Sequence, residues 1–175
     1  SSIENEKIGW AYIDQTQFFP ELHHYVTLRQ ELVKRPVLTT IEKFMQPVIS
    51  TGKNIIITGY THPPYRQKSI DLLDTLSGCD AYALFRGTEG SSQLSLDRRS
   101  PAIFKTTQAK KETFIRPSDY GLQEIERIQP NLQLTVQETV QFNQQALQNK
   151  ESIAFKLIAY NAMAILNELN LFELA

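Results

Sequence analysis

A strand–helix–strand unit between residues 54 and 86 restricts most strongly what this chain can fold into. The β-branched run 54–60 predicts a buried strand, and the apolar run 81–86 predicts another. Between them, Pro63 and Pro64 open a helix to about Ser77, and Gly78 ends it. Because such crossovers are almost always right-handed, the two strands are expected to be parallel neighbours in a sheet covered by helices.

The rest of the chain adds predicted helices on both sides of this unit and a less regular middle. Four segments predict helices: 19–33, 39–48, 135–149 and 152–170. Apolar residues three and four apart support the first and last of them, and a capping-box pattern of Thr39 with Glu42 supports the second. Residues 8–13 predict a short strand, and three middle segments are candidate antiparallel strands: 93–96, 102–106 and 112–116. A turn is predicted at 117–122. Asn161 lies on the apolar stripe of the last helix, so it is expected to be buried with hydrogen-bond partners.

Composition predicts one cytoplasmic domain over residues 1–175, with 41% hydrophobic residues. A net charge of -1 and a pI near 6.3 argue against a wholly basic nucleic-acid-binding domain, although not against a local basic face. The single cysteine, Cys79, excludes an internal disulfide. No apolar run approaches the roughly 20 residues of a membrane helix, and the first residues are polar and acidic, unlike a signal peptide.

Five short motifs follow one another along the chain: Ile8-Gly9-Trp10-Ala11-Tyr12; Arg29 with Leu32 and Arg35; Arg86-Gly87-Thr88-Glu89-Gly90; Pro117-Ser118-Asp119-Tyr120-Gly121-Leu122; and Tyr160-Asn161-Ala162. In order and spacing they resemble the second half of the anthranilate phosphoribosyltransferase family, also called glycosyltransferase family 3. The resemblance spans nearly the whole chain, although Val33 stands where the family's second motif has a glycine.

The resemblance implies an α/β fold with a central, mostly parallel sheet flanked by helices, as in the α/β domain of the nucleoside phosphorylase and phosphoribosyltransferase fold. In that family a helical dimerisation domain and a Gly-Thr-Gly-Gly-Asp loop that cradles diphosphate lie N-terminal to where this chain begins. The chain is therefore interpreted as a fragment, inactive alone, of a protein that forms a homodimer through the helical domain. An exposed apolar patch is expected where that domain would pack.

Within the resembling family, an adjacent Asp-Glu pair helps to hold the Mg²⁺ that phosphoribosyl transfer needs. The matching positions here are Ser92 and Gln93, which carry no charge. No catalytic residue, metal site or cofactor is therefore expected. An alternative interpretation keeps a phosphoribosyl or glycosyl transferase that uses phosphoribosyl pyrophosphate, with Mg²⁺ ligands relocated to Glu89 or Asp97.

Three segments look like a branch of the family reported to bind nucleic acid and to lack the biosynthetic activity: 39–47, 60–63, and the loop Gly87, Thr88, Glu89 and Gly90 with Asp97-Arg98-Arg99 after it. A basic cleft that binds nucleic acid is predicted from seven cations: Arg29, Lys34, Arg35, Lys43, Arg86, Arg98 and Arg99.

Further basic clusters stand at Arg66 and Lys68 and over residues 105–111, and Phe44 and Tyr65 are candidates for base stacking. The resemblance implies that Arg29 and Arg35 occupy positions that contact the aromatic acid substrate in the enzyme. Two other interpretations stay open: these cations form an ordinary solvated face, or the protein is a structural partner of another protein.

Overall fold

The computed structural model of the protein describes residues 13–31, 38–123 and 135–171. The chain divides into two compact units, Ser1–Thr51 and Gly52–Ala175. This division leaves the single domain over 1–175 as a prediction.

The first unit contains three helices and a 3-10 turn: α1 (Gln15–Phe18), α2 (Pro20–Glu31), α3 (Leu38–Ile41) and the turn Glu42–Phe44. Helices are thus confirmed in both predicted segments of this unit. The second helical segment stops at the 3-10 turn, before position 48, because the residue preceding Pro47 disfavours helical backbone. The predicted strand 8–13 lies outside the described residues except for Ile13, which belongs to no regular element.

The second unit is built on a four-stranded open sheet in the order β1-β2-β3-β4. The strands are β1 (Ile55–Gly59), β2 (Ala81–Phe85), β3 (Ser100–Lys105) and β4 (Lys110–Ile115). Helix α4 (Pro63–Thr75) connects β1 to β2, which pair in parallel with Ile55 opposite Ala81. The strand–helix–strand prediction is confirmed, and the protein is an α/β protein.

The mostly parallel sheet expected from the family resemblance is not confirmed, because β2 pairs antiparallel with β3, and β3 pairs antiparallel with β4. The connections explain the difference. Only residues 106–109 join β3 to β4, too few for the crossover that parallel strands need. Between β2 and β3 the chain forms only the 3-10 turn Thr88–Gly90. The candidate strands 102–106 and 112–116 are confirmed, whereas 93–96 forms no strand.

Helices cover both faces of the sheet in the second unit. Helix α6 (Ile153–Glu168) packs its Tyr160 and Ala164 against Phe85 and Phe104 in the main apolar core. Helix α4 lies on the opposite face, where the Tyr82 hydroxyl donates to an Asp74 carboxylate oxygen at 3.0 Å. We call these the α6 face and the α4 face. A sheet layered between helices agrees with the α/β expectation in its coarse form.

Helix α5 (Val136–Gln148) packs against α6, and both helices begin where the sequence predicts. Thr135 caps α5 in a capping box with Glu138, and Ser152 caps α6 by accepting from the Phe155 N–H at 3.1 Å. Four apolar side chains of α5 are exposed: Val136, Val140, Phe142 and Leu147.

None of the helices in the described ranges is long and apolar enough to span a lipid bilayer. The cytoplasmic location remains a prediction.

Candidate functional site

The loops that follow β1 and β2 meet at one edge of the sheet, because parallel strands end on the same side. In open α/β sheets, ligands bind outside this carboxyl edge. Tyr60 follows β1, and Arg86 follows β2. Helix α4 begins two residues beyond Thr61 with Pro63 in its first turn, so its N-terminal end lies at the same edge.

Close packing explains the glycines at this edge. A Cβ added to Gly59 or Gly87 would lie 1.8 or 2.0 Å from the carbonyl oxygen of Ser91. Gly90 has a φ of +78°, and its added Cβ would lie 2.2 Å from the Thr61 hydroxyl oxygen. The loop after β2 therefore folds down onto the end of β1, and it does so only because these positions lack side chains.

The same loop uses its backbone N–H groups internally. The Thr88 N–H donates to the Gln93 carbonyl at 2.9 Å, and the Gly90 N–H donates to the Gly87 carbonyl at 3.2 Å. The Ser91 N–H donates to the Thr88 carbonyl at 3.0 Å. In a phosphate-binding loop, such N–H groups would instead point outward and donate to the phosphate.

Asn161 of α6 fixes the far end of this loop. Its Oδ1 accepts from the N–H of the fully buried Leu94 at 2.7 Å, and its Nδ2 donates to the Leu157 carbonyl at 2.8 Å. The hydrogen-bond partners expected for Asn161 are confirmed, although the residue is half-buried rather than fully buried. The loop is thus tied to the α6 face by one side chain.

On the α4 face, exposed arginine and aromatic side chains lie along the same edge. The Arg86 N–H donates to the Pro101 carbonyl at 3.0 Å, and Pro101 stands opposite Phe114 on β4. Arg86 and Phe114 are therefore about 10 Å apart, two strand spacings. The Phe114 side chain is 48% exposed, and the Arg99 guanidinium carbon lies 4.4 Å from its ring centroid, a cation–π contact.

The first turns of α4 extend this surface. Arg66 Nη2 lies 2.5 Å from the carboxylate of Glu112, which precedes Phe114 by two residues and so shares its face of β4. Tyr65, 42% exposed, adjoins Arg66 in sequence, and Lys68 Nζ lies 6.0 Å from its ring centroid. We call the set of Tyr65, Arg66, Arg86, Arg99 and Phe114 the arginine–aromatic surface.

Tyr60, the residue after β1, is buried at this edge. Burial raises the pKa of the Tyr60 phenol, and the positive charges of Arg66 and Arg86 oppose that shift without cancelling it. The phenol therefore remains neutral at physiological pH.

The structure brings together two of the seven predicted nucleic-acid-binding cations, Arg86 and Arg99. Arg98 is exposed beside Arg99, with its Nε 3.9 Å from an Asp97 carboxylate oxygen. Lys43 is exposed in the first unit. The side chain of Arg29 on α2 is not among the described side chains, and Lys34 and Arg35 lie outside the described residues.

Sequence reasoning missed Phe114. Two-residue alternation offered a signal: with Ile115 buried in the core against α6, Phe114 must point to the opposite face. Sequence reasoning did identify Arg66, Lys68 and Tyr65, but not their proximity to β4.

Ser92 and Gln93, where the resembling enzyme has its acidic pair, are both exposed. Asp97, one of the two alternative Mg²⁺ ligands, accepts a hydrogen bond from the Ser95 hydroxyl. The Glu89 side chain is outside the description. Across the described residues, no three His, Cys, Asp or Glu side chains are grouped as a metal site would require. The expectation of no cofactor stays a prediction.

Comparison with known proteins finds no family that matches the chain. A protein of Aquifex aeolicus, described only as uncharacterized, is 34% identical over 113 residues, which are 65% of this chain and 34% of that protein. The chain thus spans about a third of the length of the relative that it matches. The resemblance to anthranilate phosphoribosyltransferases stays a hypothesis.

Proposed function

We propose that this protein is a non-biosynthetic relative of the anthranilate phosphoribosyltransferases and binds nucleic acid through the arginine–aromatic surface. One observation carries the proposal: Arg86, Arg99 and the exposed ring of Phe114 lie at the carboxyl edge of the parallel strands on the α4 face of the sheet, and Arg66 binds Glu112 on the same face. Phosphate groups supply the charge that arginine forks bind, and bases supply the planar faces that aromatic rings bind.

Two of the three arginines are available for phosphate. Arg86 and Arg99 form no ion pair with any side chain that the structure describes, whereas Arg66 is paired with Glu112. At a net charge of -1 the attraction must be local, because the molecule as a whole offers no excess of positive charge. Two phosphate contacts on a single strand predict a slope of roughly -1.4 for log affinity against log salt.

Nucleic acid fits this edge better than the transferase alternative does. The N–H groups of Thr88, Gly90 and Ser91 donate within their own loop, which leaves them unavailable to a diphosphate. Asp97 already accepts from Ser95 and lies near Arg98. Arg86 and Arg99, in contrast, are exposed.

The finer fold assignment belongs to the same proposal. The parallel β1–α4–β2 unit, with its closing loops at the carboxyl edge, supports the α/β domain of the nucleoside phosphorylase and phosphoribosyltransferase fold. The full-length protein is then a cytoplasmic homodimer that pairs through a helical domain.

A binding titration tests the function. Fluorescence anisotropy of the whole chain with labelled single-stranded and duplex oligonucleotides, at several salt concentrations, should show binding that weakens steeply as salt rises. Replacing both Arg86 and Arg99 with Gln should weaken binding at least about tenfold at low salt and remove most of the salt slope.

A matched control removes the same charge elsewhere. Lys53 precedes β1 at the opposite edge of the sheet, and Lys150 lies in the turn before α6; both are exposed. The double change of these lysines to Gln should leave affinity within about twofold of the parent. If no oligonucleotide binds at low salt, the proposed function is wrong.

A further inference from the structure

We infer that the ligand is single-stranded nucleic acid, and that an unpaired base stacks on the Phe114–Arg99 pair. This inference rests on the proposed function and deepens it by naming the form of the nucleic acid. It comes from the geometry of one exposed ring and one guanidinium group at the sheet edge.

Phe114 offers an exposed aromatic ring at the edge of the described sheet. It lies on β4, the last strand of the described sheet, and nearly half of its surface is open although its neighbour Ile115 is buried. Arg99 lies over the ring at 4.4 Å and makes no ion pair with a described side chain. A planar cation over an aromatic ring is a surface on which a base can stack in turn.

Only an unpaired base can use such a surface. In a duplex, each base is covered above and below by its neighbours, and flipping it out costs a few kcal/mol. In a single strand the faces are free, and stacking on aromatic side chains gives sequence-tolerant affinity. The Phe114 ring and the Arg99 guanidinium group therefore favour single strands over duplexes. An arginine that binds phosphate, such as Arg86, binds both forms.

A second exposed ring, that of Tyr65, belongs to the sequence neighbour of Arg66 at the start of α4. Arg66 binds Glu112, which is about 7 Å from Phe114 along β4. This ion pair thus joins the start of α4 to the strand that carries Phe114.

The test compares strands and variants on the whole chain. Labelled oligonucleotides of about 12 nucleotides, within the footprint of one small domain, would be titrated as single-stranded oligo-dT, single-stranded oligo-U and a mixed-sequence duplex at one salt concentration. Phe114→Leu keeps apolar bulk but removes the aromatic face, and Phe114→Tyr retains it.

Leu at position 114 should weaken single-strand binding about 5- to 150-fold and change duplex binding less than about twofold, while Tyr should bind like the parent. A 2-aminopurine base in the strand should lose fluorescence on binding to the parent and less so to the Leu variant. Equal effects on oligo-dT and oligo-U support stacking on the pyrimidine ring, without a need for the thymine methyl group or the ribose 2′-hydroxyl. Selective loss with one of them supports stacking combined with sugar recognition.

Other outcomes separate the two levels of the argument. If duplex and single strand bind equally, and Leu at position 114 changes neither, the stacking inference is overturned while the proposed function stands. If none of the three oligonucleotides binds, both fail. Thermal melting within a few degrees of the parent shows that each variant is folded, which is expected for an exposed side chain.

Discussion

The two faces of one sheet differ in what holds the helix on them. On the α6 face, Phe85, Phe104 and Ile115 meet Tyr160 and Ala164 in a core from which water is excluded. On the α4 face, buried Ile70 and Leu73 are supplemented by ion pairs at the surface. Both faces bury apolar side chains, including Leu84 and Ile103 on the α4 face, but of the helix–sheet ion pairs among the described residues three lie on the α4 face and one, Lys111–Glu168, lies on the α6 face.

One carboxylate organises much of the α4 face. Asp74 of α4 accepts from the Tyr82 hydroxyl and lies 2.8 Å from Lys105 Nζ and 3.1 Å from Lys110 Nζ. Burial and the nearby Asp74 charge raise the pKa of Tyr82 well above its usual range, so the phenol donates throughout the physiological range. Surface contacts of this kind orient the helix but contribute little to the free energy of unfolding. Exposed residues on this face can therefore serve binding with little loss of stability.

Loss of a core ring should have the largest effect and tests the comparison directly. Phe104→Ala, at a residue 2% exposed on the α6 face, should lower the free energy of unfolding by about 3–5 kcal/mol. Phe114→Ala, the same change on the α4 face, should cost about 1 kcal/mol or less. Denaturant unfolding followed by circular dichroism measures both, and equal losses would contradict the difference in packing between the two rings.

The loop that follows β2 should be the next most sensitive to substitution. Gly90→Ala forces a side chain into left-handed backbone and against Thr61, which should cost roughly 2–4 kcal/mol. Gly121 has a similar φ of +71° with no atom within 4 Å of its added Cβ, so Gly121→Ala should cost only about 1–2 kcal/mol. Comparing their thermal melts isolates the collision, and indistinguishable melts would refute close packing of the loop.

A single hydrogen bond from α6 supports that loop. Asn161→Ala leaves the buried Leu94 N–H without an acceptor and should cost about 1–3 kcal/mol. Asn161→Asp keeps an acceptor oxygen and should lose less. Amide hydrogen exchange at Leu94 reports the bond itself, and unchanged protection in the Ala variant would show that another group can replace it.

The smallest effect concerns the charge on the α4 face. Burial would raise the pKa of Asp74, but hydrogen bonds from Lys105, Lys110 and Tyr82 outweigh it and hold that pKa below its usual value. Because folding lowers the pKa of Asp74, its interactions stabilise the protein at pH values above the unfolded-state pKa of about 4. This stability is lost as pH falls through the folded-state pKa.

Asp74→Asn should therefore lower stability at neutral pH by about 1 kcal/mol or less, since the side chain is about a third exposed. The difference from the parent should shrink as pH falls below about 4. Urea unfolding at pH 7 and pH 3 measures this, and a difference that grows in acid would contradict the assigned sign.

The local sequence pattern predicted the helices and most of the strands, but not how the strands pair. The β-branched run before α4 and the apolar run after it have one stable arrangement, because a helix of this length returns the chain for a parallel neighbour. The mostly parallel expectation was not confirmed in the described sheet because strand direction depends on the connections on either side of β3. Those connections were less regular in sequence.

The α/β class, the starts of α5 and α6, and the hydrogen bonding of Asn161 could be predicted from the sequence, since spacing, caps and polarity act within a few residues. The packing of Gly59 on Ser91 and the contact of Arg99 with the Phe114 ring could be seen only in the folded structure. These contacts join side chains and backbone from separate strands and loops. Their geometry follows from sheet register, which no short stretch of sequence encodes.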